Sequence, residues 1–469
     1  MSTTLDGLAI RDLDEAIGRC APALEQFRGK RLFVTGGTGF FGRWLLGVLA
    51  RAWSGYRIEA TILTRNPEGF EARHPNLADW PGLTLARGDV RYFEFPKGEF
   101  SHVIHAATDT SVKADRDPAA LIATIVDGAA RVLEFTQACG AQRLLYVSSG
   151  AIYGAQPSDL TAIPEDYRGA CDPLDPRAAY GQAKRLGEQM CAIASARGPV
   201  QCVMARAFAF VGPGLPLDGH FAIGNFIRDA VSGREIVVSG DGSPLRSYLY
   251  AGDLAAWLLT LLAQGEAGSA YNVGSDQAIA IGDLARLVAA QTDSAPEVTI
   301  RGRADPLALR SRYIPSVDKA RALGLDAWTS LDVAIRRTME YAQRFTDRPD
   351  VSTTRNEHAK YESLTFVVDV DGVVATLTPG NDYRLAGPLR SSIEAINRLH
   401  EQGHRIIMFT ARGSATGLDW REVTERQFAE WGLHYHELRF GKPAADFYID
   451  DRLLPISALA RMAGAAGET

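Results

Sequence analysis

The sequence has few cysteines and no long apolar run, and each absence excludes a class of protein. The cysteines lie at positions 20, 139, 171, 191 and 202. Five scattered cysteines without a CxxC pair predict a reduced, cytosolic protein that lacks a structural zinc site. No stretch approaches about 18 uncharged apolar residues, so we expect no membrane-spanning helix. The N-terminus carries acidic residues early and no unbroken apolar segment, which is unlike a signal peptide.

A surplus of basic charge is also missing. The chain has 50 Lys and Arg against 56 Asp and Glu, a formal net charge of −6. Neither part of the chain is basic. Residues 1–362 contain 39 basic and 42 acidic residues, and residues 363–469 contain 11 basic and 14 acidic residues. We therefore expect no nucleic-acid partner. The 469 residues, 46% hydrophobic and 23% charged, are typical of a globular protein of two or three domains.

Short apolar segments alternate with helical patterns from residue 29 onward, after an amphipathic N-terminal helix within 1–28. The predicted strands are 31–35, 57–64, 83–90, 102–107, 143–149 and 201–208. The predicted helices are 11–27, 43–52, 119–140 and 180–198. This repeated β-α-β pattern predicts an α/β fold with a doubly wound parallel sheet of Rossmann type. Shorter strands and frequent Gly and Pro predict a small substrate-binding lobe over 209–345.

A break in composition separates a second domain. Residues 346–362 are polar and aperiodic, as expected of a linker. Beyond it, 363–469 again alternates strands and helices. The strands are predicted at 365–372, 404–410 and 446–451, and the helices at 391–403 and 421–432.

A glycine cluster lies between the first predicted strand and helix of the Rossmann pattern. Gly36, Gly39 and Gly42 form GxxGxxG. The first glycine permits a tight turn, the second lets backbone approach a pyrophosphate, and the third lets helix and strand pack closely. The helix N-terminus then presents its partial positive charge to the phosphates. The cluster predicts a dinucleotide site.

Further motifs make residues 30 to about 340 resemble the extended, sugar-nucleotide-modifying branch of the short-chain dehydrogenase/reductase superfamily. They are GDV at 88–90, HVIHAA at 102–107, VSSGAIYG at 147–154 and YGQAK at 180–184. The resemblance implies NAD or NADP as cofactor. Its implied binding residues are Gly36, Gly39, Phe40, Phe41, Gly42, Arg65, Asp89, Val90, Ala106, Tyr180 and Lys184.

The YxxxK pair has a chemical reason for its spacing. Tyr180 and Lys184 are four residues apart on one helix, so they share a face. An ammonium beside the phenol, together with a cationic nicotinamide ring, favours the phenolate and makes Tyr180 a usable base. By resemblance, Lys184 also holds the nicotinamide ribose and Ser149 positions the reacting sugar hydroxyl.

Two departures from the family narrow the reaction. Branches that dehydrate a sugar carry an Asp-Glu pair where this chain has Gly150 and Ala151, so we expect epimerisation or, alternatively, NADPH-dependent reduction of a keto-sugar. The acid that binds an NAD ribose is replaced by Thr64 and Arg65, and Arg65 can grip a 2′-phosphate. A dinucleotide-sensing or scaffold protein is the alternative of another class, and the intact Ser149, Tyr180 and Lys184 argue against it.

The resemblance extends into the substrate lobe. Asn225, Arg246 and Arg312 match positions that contact the substrate diphosphate, which the forked guanidinium of Arg suits well. The family often has Asn at the position of Ala209, so one such contact is missing here. We therefore expect an NDP-sugar substrate and, as elsewhere in the family, a homodimer.

Residues 363 to about 455 resemble the haloacid-dehalogenase phosphatase superfamily. DVDG at 369–372, MFTAR at 408–412, FGKP at 440–443 and IDD at 449–451 follow or precede predicted strands in the order of that superfamily's motifs. The carboxyl ends of parallel strands meet at one edge, so these groups can converge. The short segments between motifs imply a minimal cap and an open site.

The resemblance implies a role for each polar residue. Asp369 attacks phosphorus, Asp371 protonates the leaving oxygen and later activates water, and Thr410 and Lys442 bind the phosphoryl oxygens. The ligands implied for Mg²⁺ are Asp369, Asp371, Asp450 and Asp451. The whole chain is therefore predicted to be a bifunctional enzyme that modifies an NDP-sugar and dephosphorylates a sugar phosphate or related intermediate.

Overall fold

The computed structural model describes residues 4–108, 117–217, 219, 221–292, 294–303, 311–346, 365–376, 378, 382–414 and 416–442. The chain divides into two compact units, Met1–Pro349 and Asp350–Thr469. Within the described residues, no helix combines the length and the apolar character needed to cross a membrane.

The first unit alternates strands and helices along the chain. Its strands are β1 (Thr4–Leu5), β2 (Leu8–Ala9), β3 (Arg31–Thr35), β4 (Glu59–Thr64), β5 (Leu83–Arg87), β6 (His102–His105), β7 (Arg143–Ser149), β8 (Gln201–Ala207), β9 (Phe210–Val211), β10 (Ile236–Val238), β11 (Leu245–Arg246), β12 (Leu249–Tyr250), β13 (Ala270–Val273), β14 (Ile279–Ala280), β15 (Val298–Ile300) and β16 (Arg312–Tyr313). Its helices are α1 (Ile10–Gln26), α2 (Phe40–Tyr56), α3 (Pro67–Arg73), α4 (Pro75–Ala78), α5 (Pro118–Ala138), α6 (Ala179–Arg197), α7 (Ala222–Val231), α8 (Ala251–Gln264), α9 (Ile281–Ala289), α10 (Asp318–Arg321) and α11 (Leu331–Thr346).

A parallel seven-stranded sheet forms the centre of the first unit, in the order β13-β8-β7-β6-β3-β4-β5. Its apolar strands are buried, as expected where helices cover both faces of a parallel sheet. The chain runs outward in opposite directions from β3 and β6, so the topological switch point lies between them. The predicted Rossmann sheet is confirmed, and its switch point places the turn after β3 beside the end of β6.

Helix α1 is part of the first unit's core and not a separate element. Leu13 and Leu24 are fully buried, which contributes about 1.5–3 kcal/mol each. The buried carboxylate of Asp12 accepts a hydrogen bond from the Tyr250 hydroxyl at 2.6 Å and pairs with Arg337 of α11 at 3.1 Å. The N-terminal helix is therefore fixed to β12 and α11, which lie far along the chain.

The predicted substrate lobe contains short strands that pair outside the central sheet, whereas β13 of the same span belongs to that sheet. β10 pairs with β15, β12 pairs with β9, and β11 lies between β14 and β16. In the last sheet Arg246 is opposite Tyr313, and Leu245 is opposite Arg312. The side chains of paired residues on neighbouring strands project from the same face of a sheet. This register therefore decides which side chains share a face.

The second unit is a smaller α/β arrangement. Its described elements are β17 (Thr365–Val368), α12 (Arg390–Glu401), β18 (Arg405–Thr410), α13 (Arg421–Trp431) and β19 (Glu437–Phe440). The strands form a parallel sheet in the order β17-β18-β19, with its own core that includes Val370, Ile396 and Phe428. The sequence pattern did not predict β19, and the strand predicted at 446–451 lies outside the described residues.

Candidate functional sites

The glycine turn after β3 is built as the sequence predicts. Gly36 has a φ of +74°, and a Cβ there would lie 2.5 Å from the backbone of Ala106 at the end of β6. A Cβ on Gly42 would lie 2.3 Å from the Cα of Gly37, so helix and turn are in direct contact. Gly39 caps α2 without a side-chain hydrogen bond, and a Cβ there would meet only one backbone oxygen, at 3.4 Å. The turn leaves an open cradle at a helix N-terminus, which fits the pyrophosphate of NAD or NADP.

Two aromatic residues follow the turn. Phe40 and Phe41 are the first residues of α2 and are partly buried against the main core. Phe41 packs edge-on against Phe210, with ring centroids 4.9 Å apart. These contacts tie the start of α2 to the substrate lobe.

The residues predicted at the adenosine end lie after β4 and β5. Arg65 is exposed directly after β4. Asp89 is bound by Arg91 through two side-chain hydrogen bonds of 2.8 and 3.1 Å, which lower the pKa of that carboxyl. Val90 is buried in the second hydrophobic core of this unit. In the structure, Asp89 therefore pairs with Arg91, and the side chain of Arg65 is exposed to solvent.

Ser149, Tyr180 and Lys184 converge beside the switch point. Ser149 ends β7, and its hydroxyl accepts a hydrogen bond from the backbone N–H of Ala151 at 3.1 Å. Tyr180 begins α6, and Lys184 lies one turn later, almost fully buried. The Nζ of Lys184 donates to the Thr108 hydroxyl at 2.6 Å and to the Val147 carbonyl at 2.8 Å.

Burial dominates the electrostatics of this site. It lowers the pKa of Lys184 to about 7, and the nearby Cys191 and Glu188 only partly oppose that shift. It raises the pKa of Tyr180, an effect opposed by the Ser149 hydroxyl. The protein alone therefore disfavours the phenolate form that the sequence predicts. Burying the negative charge of Tyr180 costs more free energy than its hydrogen bond with Ser149 contributes.

Sequence reasoning missed a second phenol beside Ser149. Burial raises the pKa of Tyr313, and the Ser149 hydroxyl opposes this rise as it does for Tyr180. The Tyr313 ring packs on Phe208, with centroids 4.6 Å apart and planes inclined by 34°. No motif marked Tyr313, because distant segments hold it there: β16 pairs with β11, and the next residue, Ile314, accepts a backbone hydrogen bond from Ile163 at 2.8 Å.

The sheet register separates two of the three predicted diphosphate ligands. Arg246 leaves its sheet on the same face as Tyr313, whereas Arg312 leaves on the opposite face with Leu245. The amide of Asn225 on α7 is engaged within its own segment, donating to the Gly219 carbonyl at 3.2 Å and accepting from Arg228 at 3.1 Å. Arg246 is therefore the predicted ligand that the structure best associates with the Ser149 site.

The second unit brings predicted site residues together at the carboxyl edge of its sheet. The Nζ of Lys442, which follows β19, is ion-paired with the carboxylate of Asp369, which follows β17. Thr410 is the last residue of β18, the strand between β17 and β19. Its buried hydroxyl accepts a hydrogen bond from the backbone N–H of Arg412 at 3.1 Å. The three residues therefore lie at the carboxyl ends of three adjacent strands, the edge at which parallel sheets bind ligands.

Arg412 is the residue that sequence reasoning missed in this unit, although it stands in the quoted MFTAR motif. Its fully buried guanidinium donates to both oxygens of Asp371, with a shortest distance of 2.7 Å. It also donates to Thr424 at 3.1 Å and Gln427 at 2.7 Å. Asp371 is therefore fixed in place by a satisfied buried network.

The described residues do not by themselves form a magnesium site. No group of three or more His, Cys, Asp or Glu in the described ranges is placed to hold a metal ion. Asp369 and Asp371 are each bound to a cationic side chain. The other two predicted ligands, Asp450 and Asp451, lie outside the described residues.

A parallel sheet with a glycine turn at its switch point, followed by a Ser-Tyr-Lys constellation, defines the first unit as a dinucleotide-dependent α/β enzyme. Comparison with known proteins agrees, since the sequence profile of the NAD dependent epimerase/dehydratase family matches residues 32–274. This is more than half of the chain. The chain belongs to the NAD dependent epimerase/dehydratase family.

Individual relatives share about a quarter of their residues with the chain. UDP-glucuronic acid decarboxylase 1 from Xenopus tropicalis is 29% identical over 322 residues, covering 67% of this chain and 72% of that protein. MoeE5, solved with UDP-glucose and NAD, is 25% identical with a TM-score of 0.56, covering 67% of this chain and 99% of its own. RMD from Pseudomonas aeruginosa, solved with NADPH, is 26% identical with a TM-score of 0.53 over the same shares.

Proposed function

We propose that the first unit is an NAD(P)-dependent epimerase of NDP-sugars. The observation that carries this proposal is the convergence of Ser149, Tyr180 and Lys184 beside the glycine turn at the switch point. When bound, the nicotinamide cofactor accepts a hydride from a sugar carbon and returns it. Ser149 orients the sugar hydroxyl, Tyr180 takes and later restores its proton, and Lys184 supplies the positive charge that favours the phenolate.

A decarboxylation is the second candidate, and the Xenopus tropicalis relative favours it. Oxidation of the hydroxyl-bearing ring carbon β to a carboxylate produces a β-keto acid, whose carboxylate can leave as CO₂. The oxidation needs the same Ser149, Tyr180 and Lys184. Gly150 and Ala151 provide no carboxylic acid beside Ser149, so dehydration of the sugar lacks its usual acid and base.

The two candidates are separated by their products. The whole chain should be incubated with UDP-glucose and, separately, UDP-glucuronic acid, and followed by proton NMR. A new epimer supports the first proposal, and CO₂ with a pentose nucleotide supports the second. Both reactions return the hydride and consume no reduced cofactor. In a separate incubation with an NDP-keto-sugar, stoichiometric oxidation of NADPH coupled to reduction of the ketone would contradict both and favour the keto-sugar reductase.

We also propose that Arg65 permits binding of NADP as well as NAD. Arg65 is exposed after β4, where an acid would repel a 2′-phosphate, and the RMD relative was solved with NADPH. Arg65→Ala should weaken NADPH binding about tenfold or more and leave NADH binding nearly unchanged. Equal effects on both cofactors would contradict this role.

A homodimer is proposed through α5 and α6. These helices pack together, and three apolar side chains on them, Ile122 of α5 and Leu186 and Ile193 of α6, are 40, 48 and 42% exposed. Apolar side chains gathered on one face are typical of a protein interface. Leu186→Lys should convert a dimer into a monomer in analytical ultracentrifugation, whereas Leu174→Lys, on an exposed loop, should not. A wild-type monomer at micromolar concentration would contradict the proposal.

For the second unit we propose a Mg²⁺-dependent phosphatase acting on a sugar phosphate or related intermediate. The family profile ends at residue 274, so this proposal rests on the unit's own geometry. It is supported by the approach of Asp369, Thr410 and Lys442 from three strand ends. Asp369 is the candidate nucleophile, and Lys442 lies where it can bind phosphoryl oxygens.

The phosphatase proposal has a direct test. Asp369→Asn keeps the side-chain shape and removes the anionic nucleophile, so hydrolysis of p-nitrophenyl phosphate should fall by orders of magnitude. EDTA should abolish the wild-type activity, and Mg²⁺ should restore it. Asp382→Asn, which alters an exposed carboxylate of the same unit, is the matched control. Wild-type hydrolysis by Asp369→Asn would overturn the proposal.

A further inference from the structure

The ammonium of Lys184 is held by neutral groups. Within the part of the chain that the structure describes, its acceptors are the Thr108 hydroxyl at 2.6 Å and the Val147 carbonyl at 2.8 Å. The Thr108 hydroxyl in turn donates to the Ala107 carbonyl at 2.7 Å. Because its own proton is used there, the Thr108 oxygen presents a lone pair to Lys184. The contact therefore has a defined direction.

The titratable neighbours of Lys184 do not replace this contact. On β7 the Tyr146 ring lies 5.2 Å from the ammonium, and on β6 burial and the Lys184 charge lower the pKa of His105 to about 3. On α6 itself, Glu188 is bound by Arg206 at 2.8 Å. On the same helix, Cys191 raises the pKa of Lys184 without offsetting its burial, and Tyr180 lies one turn before the lysine. Among the described residues, no carboxylate is ion-paired with Lys184.

We propose that Thr108 is a positioning residue of the first unit's site: its hydroxyl fixes the Lys184 ammonium beside Tyr180 and Ser149. An ammonium has three donors, and Thr108 and Val147 use two of them. Among the described residues, no acceptor takes the third donor, which can therefore bind a cofactor. This inference rests on the proposed role of Lys184 and adds a residue that neither the family profile nor the motifs assign.

The proposal predicts the direction of a measurable change. An acceptor that hydrogen-bonds an ammonium stabilises the charged form, so its loss lowers the lysine pKa. Thr108→Val keeps the side-chain shape and removes only the acceptor. The pKa of Lys184 should fall by about one unit, as expected for one hydrogen bond to a charged group. Thr108→Ser retains the hydroxyl and should restore the wild-type value.

The test measures Lys184 directly in the whole chain. Lysine labelled with ¹³C at Cε gives a countable NMR spectrum because the sequence has seven lysines, and Lys184→Met assigns the signal. The titration should give a lower pKa for Lys184 in Thr108→Val than in the wild type, and an unchanged pKa in Thr108→Ser. The matched control is Thr124→Val on α5, whose hydroxyl donates to the Ala120 carbonyl at 2.8 Å.

A second readout is the affinity for NADH across pH 6–9. Binding by Thr108→Val should weaken at a lower pH than binding by wild type, because its lysine loses charge earlier. If Thr108→Val does not fold, Thr108→Ala carries the same expectations. An unchanged Lys184 titration in the folded variant would overturn the proposal. Failure of the proposed function gives a different result. Tyr180→Phe would then still turn over the sugar, while Thr108→Val would still lower the pKa of Lys184.

Discussion

The hydroxyl of Tyr313 lies 2.6 Å from the point where a side chain at Gly150 would begin, and the Phe208 ring lies 2.7 Å from it. These two aromatic residues fill the space beside Ser149 that an acidic side chain would need. The absence of an acid at position 150 is therefore matched by the packing of the substrate lobe. Both the sequence and the tertiary structure argue against a dehydratase at this site.

This relationship predicts the effect of a single methyl group. Gly150→Ala should cost about 1–3 kcal/mol of stability, because the new Cβ overlaps Tyr313 and Phe208. Urea denaturation of the whole chain measures the change. Gly140→Ala is not a suitable control because φ there is +74°, whereas Gly55 has open space around its Cβ position and ordinary backbone. Gly55→Ala should be neutral or stabilising, and an equal loss at both positions would contradict the packing argument.

The glycine turn gives a prediction that separates folding from cofactor binding. Gly42→Ala should destabilise the first unit by about 1–3 kcal/mol, since its Cβ would lie 2.3 Å from the Gly37 backbone. Gly39→Ala meets only the Gly36 carbonyl, at 3.4 Å, and should fold. Its methyl group narrows the pyrophosphate cradle, so NADH affinity should fall about tenfold or more. Calorimetric titration would show this loss, and unchanged affinity would place the cofactor elsewhere.

Removal of the Tyr180 hydroxyl should stop the chemistry and spare the fold. Tyr180→Phe keeps the ring, and we expect turnover of the NDP-sugar to fall by about 10²–10⁴. NADH binding and phosphatase activity should remain. Tyr92→Phe alters a phenol that is 68% exposed and should behave as wild type. Retained turnover in Tyr180→Phe would exclude it as the acid/base.

The buried ammonium of Lys184 gives a pH-dependent prediction. Its pKa is about 7 in the folded chain against an ordinary lysine value of 10.5, so the folded chain holds fewer protons than the unfolded chain between these values. Wild-type stability should therefore rise from pH 7 toward pH 10. Lys184→Met removes the buried charge and should be more stable than wild type by about 2 kcal/mol at pH 6. The difference should shrink toward pH 10, and a constant difference would contradict a lowered lysine pKa.

In the second unit, Arg412 should matter more for stability than any exposed arginine. Arg412→Ala removes the guanidinium that donates to Asp371, Thr424 and Gln427, and we expect a loss of about 3 kcal/mol in the stability of this unit. Arg384, paired with Asp382 at the surface, is the control, and Arg384→Ala should change stability by about 0.5 kcal/mol or less. Hydrogen exchange of peptides from α12 and α13 reports on this unit alone. Similar protection in both variants would contradict the network's role.

Local patterns in the chain were sufficient to predict the elements whose signal is short-range. The run of apolar residues in β3, the glycines after it and the Tyr180–Lys184 spacing depend on neighbours in the chain, so the sequence predicted the Rossmann sheet and indicated candidate residues for its site. In the second unit, the order of the motifs alone assigned Asp369 and Lys442 to one site. The alternation of side chains in a strand, the φ of a turn glycine and the spacing of residues one helical turn apart each depend on only a few neighbouring residues. A sequence motif can therefore predict them.

Contacts between distant segments, by contrast, depended on the folded arrangement. Tyr313 reaches Ser149 because β16 pairs with β11, and the same register turns Arg312 away from Arg246. Thr108 becomes a partner of Lys184 because β6 ends beside α6, 76 residues away along the chain. The pKa values of Lys184 and Tyr180 follow from burial, which no motif encodes. Such properties depend on which surfaces are excluded from water after packing, and that is settled only when the whole unit has folded.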